Sequence, residues 1–105
     1  LIIALETDAA VSAPNAISPD GDGVNDAFTV FTAEPDAVIE YLEVFDRWGE
    51  RLFVAEDIPA NDESYGWTGR AKDRDVNAGV FVFVARVRFP RGERSDLTGD
   101  VTVVR

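Results

Sequence analysis

The sequence contains no cysteine, histidine or methionine, and Lys72 is its one lysine. Without cysteine, no disulfide can support the fold and no thiol can act as a nucleophile. The side chains that most often serve as general base or nucleophile are therefore absent, and no glycine-rich phosphate loop precedes a helix. We expect that the protein is not an enzyme.

Positive charge is also scarce. Lysine and arginine together number 10 against 20 aspartates and glutamates, so the formal net charge is −10. Such a chain repels polyanions, and we expect neither nucleic acid nor an anionic lipid surface as a partner. The apolar run at residues 1–5 is far shorter than the roughly 20 residues that span a bilayer, so we expect no direct membrane insertion.

What the chain does contain is a series of short β-type segments. It has 105 residues, of which 46% are hydrophobic, enough for one domain with a single core. No convincing helix is present. β-branched and aromatic residues dominate segments separated by turn residues. The predicted strands are residues 28–32, 38–46, 51–54, 65–69, 80–89 and 94–105, and the predicted loops are 55–64 and 70–77.

Side-chain alternation indicates which faces are buried. In the segment 38–46 we choose the face that carries Leu42 and Val44 as the core side. In the segment 80–89 one face is wholly apolar, and the opposite face carries Arg86 and Arg88 near its end. These arginines, with Arg91 and Arg94, are expected to form a solvated strip against acidic neighbours. The pattern predicts an all-β fold, a two-sheet antiparallel sandwich of about seven strands.

The most informative segment is 14–26, where three aspartates and two glycines fall within seven residues. Crowded carboxylates repel one another unless a cation lies among them, and oxygen ligands suit Ca²⁺. The expected ligands are Asp20, Asp22, Val24 and Asp26, with Asn25 as a further candidate. The alternative is a turn in which Asp and Asn side chains accept hydrogen bonds from backbone N–H groups. The bidentate glutamate that closes an EF-hand loop is absent, so the spacing alone leaves both interpretations open.

Several motifs occur in an order that resembles the gliding motility-associated C-terminal domain, the type B C-terminal sorting domain of the Bacteroidota type IX secretion system. The motifs are Pro-Asn-Ala-x-Ser-Pro-Asp-Gly-Asp-Gly-Val-Asn-Asp (14–26), Phe-Asp-Arg-Trp-Gly (45–49), Gly-Trp-x-Gly (66–69), Gly-Val-Phe-Val-Phe (79–83) and Gly-Asp-Val-Thr-Val-Val-Arg (99–105). The resemblance covers residues 14–105 and leaves 1–13 as an N-terminal strand or linker. Thr68 stands where relatives usually carry an acid, and Asp46 where Asn is common.

The resemblance implies an immunoglobulin-like antiparallel β-sandwich and a non-catalytic role. A domain of this kind directs its parent protein through the periplasm and across the outer membrane, to the cell surface or the extracellular space. Its partner would be the type IX outer-membrane machinery. The closing strand, with Leu97, Val101, Val103 and Arg105, is expected to contribute both to the fold and to recognition by that machinery.

A second function remains open, in which the domain is a structural subunit of an extracellular fibre or sheath. Subunits would assemble by strand exchange or by side-by-side packing, and Leu1, Ile2 and Ile3 would pair with a neighbouring subunit. This hypothesis expects Leu1 to be a mature N-terminus, whereas the sorting hypothesis expects a much longer encoded product. A carbohydrate-binding role would need Trp48 or Trp67 as a platform, but we expect both rings to pack against the protein.

Overall fold

The computed structural model describes residues 11–23, 25–72 and 74–105. Within these ranges it contains nine strands and one turn of 3₁₀ helix (Glu63–Tyr65). The strands are β1 (Val11–Ser12), β2 (Ala16–Ile17), β3 (Phe31–Thr32), β4 (Val38–Phe45), β5 (Arg51–Pro59), β6 (Arg70–Ala71), β7 (Arg74–Asp75), β8 (Gly79–Arg88) and β9 (Arg94–Val103). The number exceeds the expected seven because five of these strands are only two residues long.

Five strands form the main sheet, in the order β2-β9-β8-β4-β5. All neighbours are antiparallel except β2, which runs parallel to β9. The longest ladder joins β8 to β9 without a register shift, from Gly79 opposite Val103 to Arg88 opposite Arg94. The tight turn between them is closed by a hydrogen bond from the Phe89 N–H to the Glu93 carbonyl at 2.8 Å.

A smaller layer covers the apolar face of this sheet. It consists of the antiparallel pair β1–β3 and a bridge in which Phe28 and Trp67 exchange two backbone hydrogen bonds of 2.7 and 2.9 Å. The Phe28 ring lies 4.7 Å from the Phe83 ring of β8, and the Trp67 ring lies 5.4 Å from that of Phe81, also of β8. Contacts of this kind join the two layers into one hydrophobic core, and they confirm the predicted all-β, immunoglobulin-like sandwich.

The core is built as the alternation of β8 predicts. Phe81, Phe83, Ala85 and Val87 are all buried, while Val80 and Val82 on the opposite face are exposed. Burial of Leu42 and Val44 confirms the face chosen for β4 as well.

One buried residue of β4 is out of phase with that face. Ile39 is fully buried, although strict alternation would place its side chain on the face of β4 away from Leu42. Against β8, Ile39 pairs with Val87 and Tyr41 with Arg86, so one extra residue of β4 is accommodated between them. Such a bulge turns the preceding side chains to the other face. Simple alternation, which predicts Glu40 on the face of Leu42 and Ile39 on the opposite face, is therefore wrong for both residues.

Four boundaries also differ from expectation. The predicted strand 28–32 is a regular strand only at β3, and Phe28 contributes an isolated bridge. β5 continues to Pro59 through residues predicted as loop, because Ile58 is buried opposite Ile39 and an edge strand tolerates acidic residues and a terminal proline. Within the predicted loop 70–77, β6 and β7 pair as an antiparallel hairpin. The segment 65–69 contributes only the Trp67 bridge to a sheet and is preceded by the 3₁₀ turn.

Candidate functional site

The acidic loop 18–26 is closed by backbone contacts between its two ends. The Ser18 N–H donates to the Asn25 carbonyl at 2.7 Å. Gly21 and Gly23 have φ angles of 82° and 84°, a region that glycine enters at little cost. Asn25 has a φ of 55°, which asparagine tolerates better than most residues. The local sequence therefore fixes a tight loop without help from elsewhere in the fold.

This loop brings together the three carboxylates that the sequence predicted. Asp20, Asp22 and Asp26 each place one carboxylate oxygen within 4.8 Å of the others. The Asp26 carboxylate also accepts backbone hydrogen bonds from Asp20 (3.2 Å), Gly21 (3.1 Å) and Gly23 (2.7 Å). The Asp22 N–H donates to the Asp20 carboxylate at 3.1 Å. Val24 lies outside the described residues, and the Asn25 carbonyl is used in closing the loop.

Both interpretations of the acidic loop thus find support in its geometry. The backbone N–H groups organise the Asp26 carboxylate as the hydrogen-bonded turn requires. A carboxylate offers about four acceptor positions, and three of those of Asp26 are occupied. The three converging carboxylates would supply part of the six to eight oxygen ligands that Ca²⁺ takes, and the loop stays a predicted site.

The acidic loop borders the last residues of the chain. A cavity of about 390 Å³ is lined by Ser18, Pro19, Asp20, Val104 and Arg105. The Arg105 guanidinium donates to the carbonyls of Val76 (2.8 Å) and Gly69 (3.0 Å). Arg105 therefore fastens the end of the chain to the loop that follows Trp67.

The residues predicted to bind a partner occupy different environments. Val101 and Val103 are buried, at 0% and 1% exposure, and Leu97 is half-buried against the core. The side chain of Arg105 is engaged by the two carbonyls. Leu1, Ile2 and Ile3 lie outside the described residues. The predicted partner role of each of these residues stays a prediction, and in the folded domain Val101 and Val103 offer no surface to a partner.

The arginine strip lies as expected against acidic side chains. Arg86 contacts Asp96 at 2.7 Å, and Arg91 contacts Glu93 at 2.9 Å. The Arg86 hydrogen bond holds the pKa of Asp96 below its ordinary value and raises that of the guanidinium. The prediction of a solvated, ion-paired strip is confirmed.

Glu40 pairs with the other two arginines of the strip. Its carboxylate accepts a hydrogen bond from Arg88 at 2.8 Å and one from Arg94 at 2.9 Å. The contacts with Arg94 and Arg88 hold the pKa of the Glu40 carboxyl below its ordinary value. Glu40 therefore links β4 to both β8 and β9 on the face away from the core.

The two tryptophans differ. Trp67 is 1% exposed, and its indole N–H donates to the Arg70 carbonyl at 2.8 Å, which confirms packing. Trp48 is 84% exposed, so the expectation that it packs against the protein is wrong. It lies in the β4–β5 turn, where the Asp46 carboxylate accepts hydrogen bonds from the N–H groups of Trp48 and Glu50, both at 2.9 Å. The Arg47 guanidinium lies 5.6 Å from its ring centroid, as expected for a cation–π contact.

A cleft that the sequence analysis did not predict lies between the start of β5 and the β6–β7 hairpin. Its volume is about 220 Å³, and Arg51, Lys72 and Arg74 all line it. Because about twenty residues separate Arg51 from the other two cations, only the folded topology brings them together.

Comparison with known proteins places the whole sandwich in one family. Within the described residues, no helix is long and apolar enough to cross a membrane. No curated protein shows a significant match to the chain. The family model of the CHU_C type IX secretion signal domain matches residues 11–103, from the first residue of β1 to the last of β9. This match confirms the resemblance drawn from the motifs, and the chain belongs to the CHU_C type IX secretion signal domain family.

Proposed function

We propose that the domain directs the protein that carries it across the outer membrane through the type IX machinery, and that the exported protein is then held at the cell surface or released. The observation that carries this proposal is the family match, which spans every strand of the sandwich. The family is a secretion signal, and we assign the domain a non-catalytic role.

We further propose that the machinery recognises the folded domain rather than an extended tail. The support comes from β9, which lies inside the sheet between β2 and β8. Its side chains Val101 and Val103 belong to the core, so a receptor that read them directly would first have to unfold the sandwich. Partners of the folded domain would instead contact its exposed surface.

A reporter fusion tests the sorting role. A monomeric fluorescent protein that folds in the periplasm is given a secretory signal peptide, and residues 1–105 are fused to its C-terminus. In a bacterium with an active type IX system, we expect the fusion to reach the cell surface or the medium, while the reporter without the domain stays in the periplasm. A strain that lacks the type IX outer-membrane channel is the control. Equal export from that strain, or periplasmic retention of the fusion in the active strain, would contradict the proposal.

We also propose that the acidic loop binds Ca²⁺ outside the cell and is stabilised by it. The support is the convergence of Asp20, Asp22 and Asp26 within 4.8 Å. The ion would lower the repulsion among the three carboxylates, two of which are exposed. Because backbone hydrogen bonds already hold Asp26, we expect a modest contribution to stability rather than a fold that depends on the metal.

A further inference from the structure

The cleft beside the edge strand β5 is a small concentration of positive charge on an acidic protein. It is lined by residues from the start of β5 and from the β6–β7 hairpin, namely Glu50, Arg51, Leu52, Ala71, Lys72 and Arg74. Three of its side chains are cationic and one is anionic, while the whole chain has a formal charge of −10. The sign of the local charge is thus opposite to that of the molecule.

Two of these cations have no side-chain partner among the described residues. Arg51 pairs with Glu43 at 3.0 Å, and its side chain is still 54% exposed. Elsewhere in the chain, arginine side chains contact carboxylates, backbone carbonyls or a ring. The side chains of Lys72 and Arg74 form no ion pair, hydrogen bond or ring contact with any residue that the structure describes.

Lys72 is held in the cleft at a conformational cost. It directly follows β6, where the chain turns towards β7, and its φ is 59°. Glycine and asparagine are favoured at such a turn position, and other residues occupy it at a cost. The one lysine of the chain thus lies where the backbone would be more stable with another residue, and strain of this kind is often found at functional positions.

β5 provides the second half of a binding surface. Among the described residues it is the outermost strand of the main sheet, and one side of its backbone has no hydrogen-bonded neighbouring strand there. Leu52 and Phe53 are half-buried, and Val54 is 43% exposed, which leaves apolar side chains beside the open edge. Further along, Glu56 and Asp57 are exposed and acidic. An acidic partner would therefore be attracted only to the beginning of β5.

We propose that this edge and cleft bind an extended, acidic segment of another protein. The segment adds a strand to β5 at Arg51–Ala55, where backbone hydrogen bonds provide affinity. Its carboxylates enter the cleft and contact Lys72, Arg74 and Arg51, which fixes register and direction. Negative charge over the rest of the domain repels such a segment and so restricts it to this place. The inference does not depend on the sorting role.

A labelled peptide of alternating valine and glutamate is the direct probe, with binding to the intact domain measured by fluorescence anisotropy. We expect saturable binding that weakens as salt is added, and much weaker binding of the matched valine–glutamine peptide. Amide NMR shifts should change at residues 50–55 and 70–75. Each of Lys72→Asn and Arg74→Gln should weaken binding about fivefold, and the double variant more than either. Arg91→Gln removes the same charge at the distant β8–β9 turn and should leave binding unchanged.

Lys72→Asn also separates binding from folding. Asparagine tolerates positive φ better than lysine, so the melting temperature should stay the same or rise while binding weakens. Equal binding by the double variant, or equal binding of the valine–glutamine peptide, would overturn the inference. Full displacement of the peptide by inorganic phosphate at similar concentration would also overturn it, because the cleft would then be a site for small anions. A fourth contradicting result is self-association of the domain, if the double variant abolishes it. The occupant of the cleft would then be a second copy of this domain and not another protein.

Discussion

At the scale of single residues, one polar group in the core is out of keeping with its surroundings. Phe28, Thr29 and Val30 are all 0% exposed. Among the described residues, the Thr29 hydroxyl is the buried side-chain oxygen that has no hydrogen-bond partner. A buried hydroxyl without a partner costs free energy on folding, while valine has nearly the same shape and no polar atom.

We therefore expect Thr29→Val to stabilise the domain by about 1 kcal/mol. Thermal unfolding followed by circular dichroism measures the change. The reciprocal variant Val30→Thr, at the neighbouring buried position, should destabilise by about 1–2 kcal/mol because it buries a new hydroxyl. A lower melting temperature for Thr29→Val would mean that its hydroxyl is satisfied in solution.

The sequence predicted well which side chains lie close together where the contacts are local. The carboxylates of Asp20, Asp22 and Asp26 converge because the glycines between them allow a tight loop, and both features are visible in the sequence. It could not distinguish Trp67 from Trp48, since each lies beside glycine. Their different burial follows from position, because Trp67 faces β8 across the core and Trp48 lies in a turn beyond the end of the sheet.

At the scale of elements, Glu40 joins three neighbouring strands on the outer face of the main sheet. Its carboxylate joins Arg88 of β8 and Arg94 of β9, and its side chain is 17% exposed. These contacts hold the pKa of Glu40 below its ordinary value of 4.5. Since the folded state favours the ionised form, the contribution to stability is present above pH 4.5. It is lost as the pH falls from there through the lowered pKa.

Glu40→Gln should accordingly lower the melting temperature at neutral pH, and the difference from the unmodified domain should shrink as the pH falls below 4.5. Melting curves across this pH range measure it. Glu43→Gln, which removes the single ion pair with the exposed Arg51, is the control and should cost less at neutral pH. A difference for Glu40→Gln that stays constant down to strongly acidic pH would show that the charge of Glu40 is not involved.

The acidic loop gives a separate prediction about the metal. Removing Ca²⁺ with a chelator should lower the melting temperature by an amount equivalent to about 0.4–1.4 kcal/mol, for an ion at one to ten times its dissociation constant. Asp22→Asn should reduce this response. An unchanged melt with the chelator would show that the backbone hydrogen bonds to Asp26 suffice and that the loop needs no ion.

Prediction of the strands succeeded where burial alternates without interruption. The segments predicted at 80–89 and 94–105 are β8 and β9 almost residue for residue, because ten-residue alternation is hard to mistake. β5 is longer than predicted because its acidic second half resembles a loop when its pairing with β4 is unknown. The bulge that buries Ile39 depends on the register between two strands, which a single strand's sequence does not encode.

At the scale of the whole molecule, the family match and the observed sandwich cover the same residues. The matched residues 11–103 extend over the main sheet and the layer that covers it. The topology also creates a cationic cleft from Arg51, Lys72 and Arg74, and only a correct prediction of the position of β5 beside the β6–β7 hairpin would have revealed it. Separately from the cleft, we propose that the machinery recognises the sorting signal on the surface of the folded domain.

Recognition of the folded domain is tested most directly by the export of two variants. Each variant carries a core substitution that unfolds the domain, one in β4 and one in β9. Leu42→Asp and Val101→Asp each bury a charge at a fully buried site, one in β4 and one in β9, and each should unfold the sandwich. Asp100→Asn changes the exposed face of β9 and keeps the fold. Surface, medium and periplasmic reporter are measured together, so that degradation is scored separately from retention.

The account predicts that Leu42→Asp and Val101→Asp are both retained in the periplasm and that Asp100→Asn is exported. Unfolding of the two retained variants is checked by circular dichroism of the purified domains. Normal export of unfolded Leu42→Asp together with retention of Val101→Asp would contradict the account, because it would show that the machinery reads the closing strand as an extended tail.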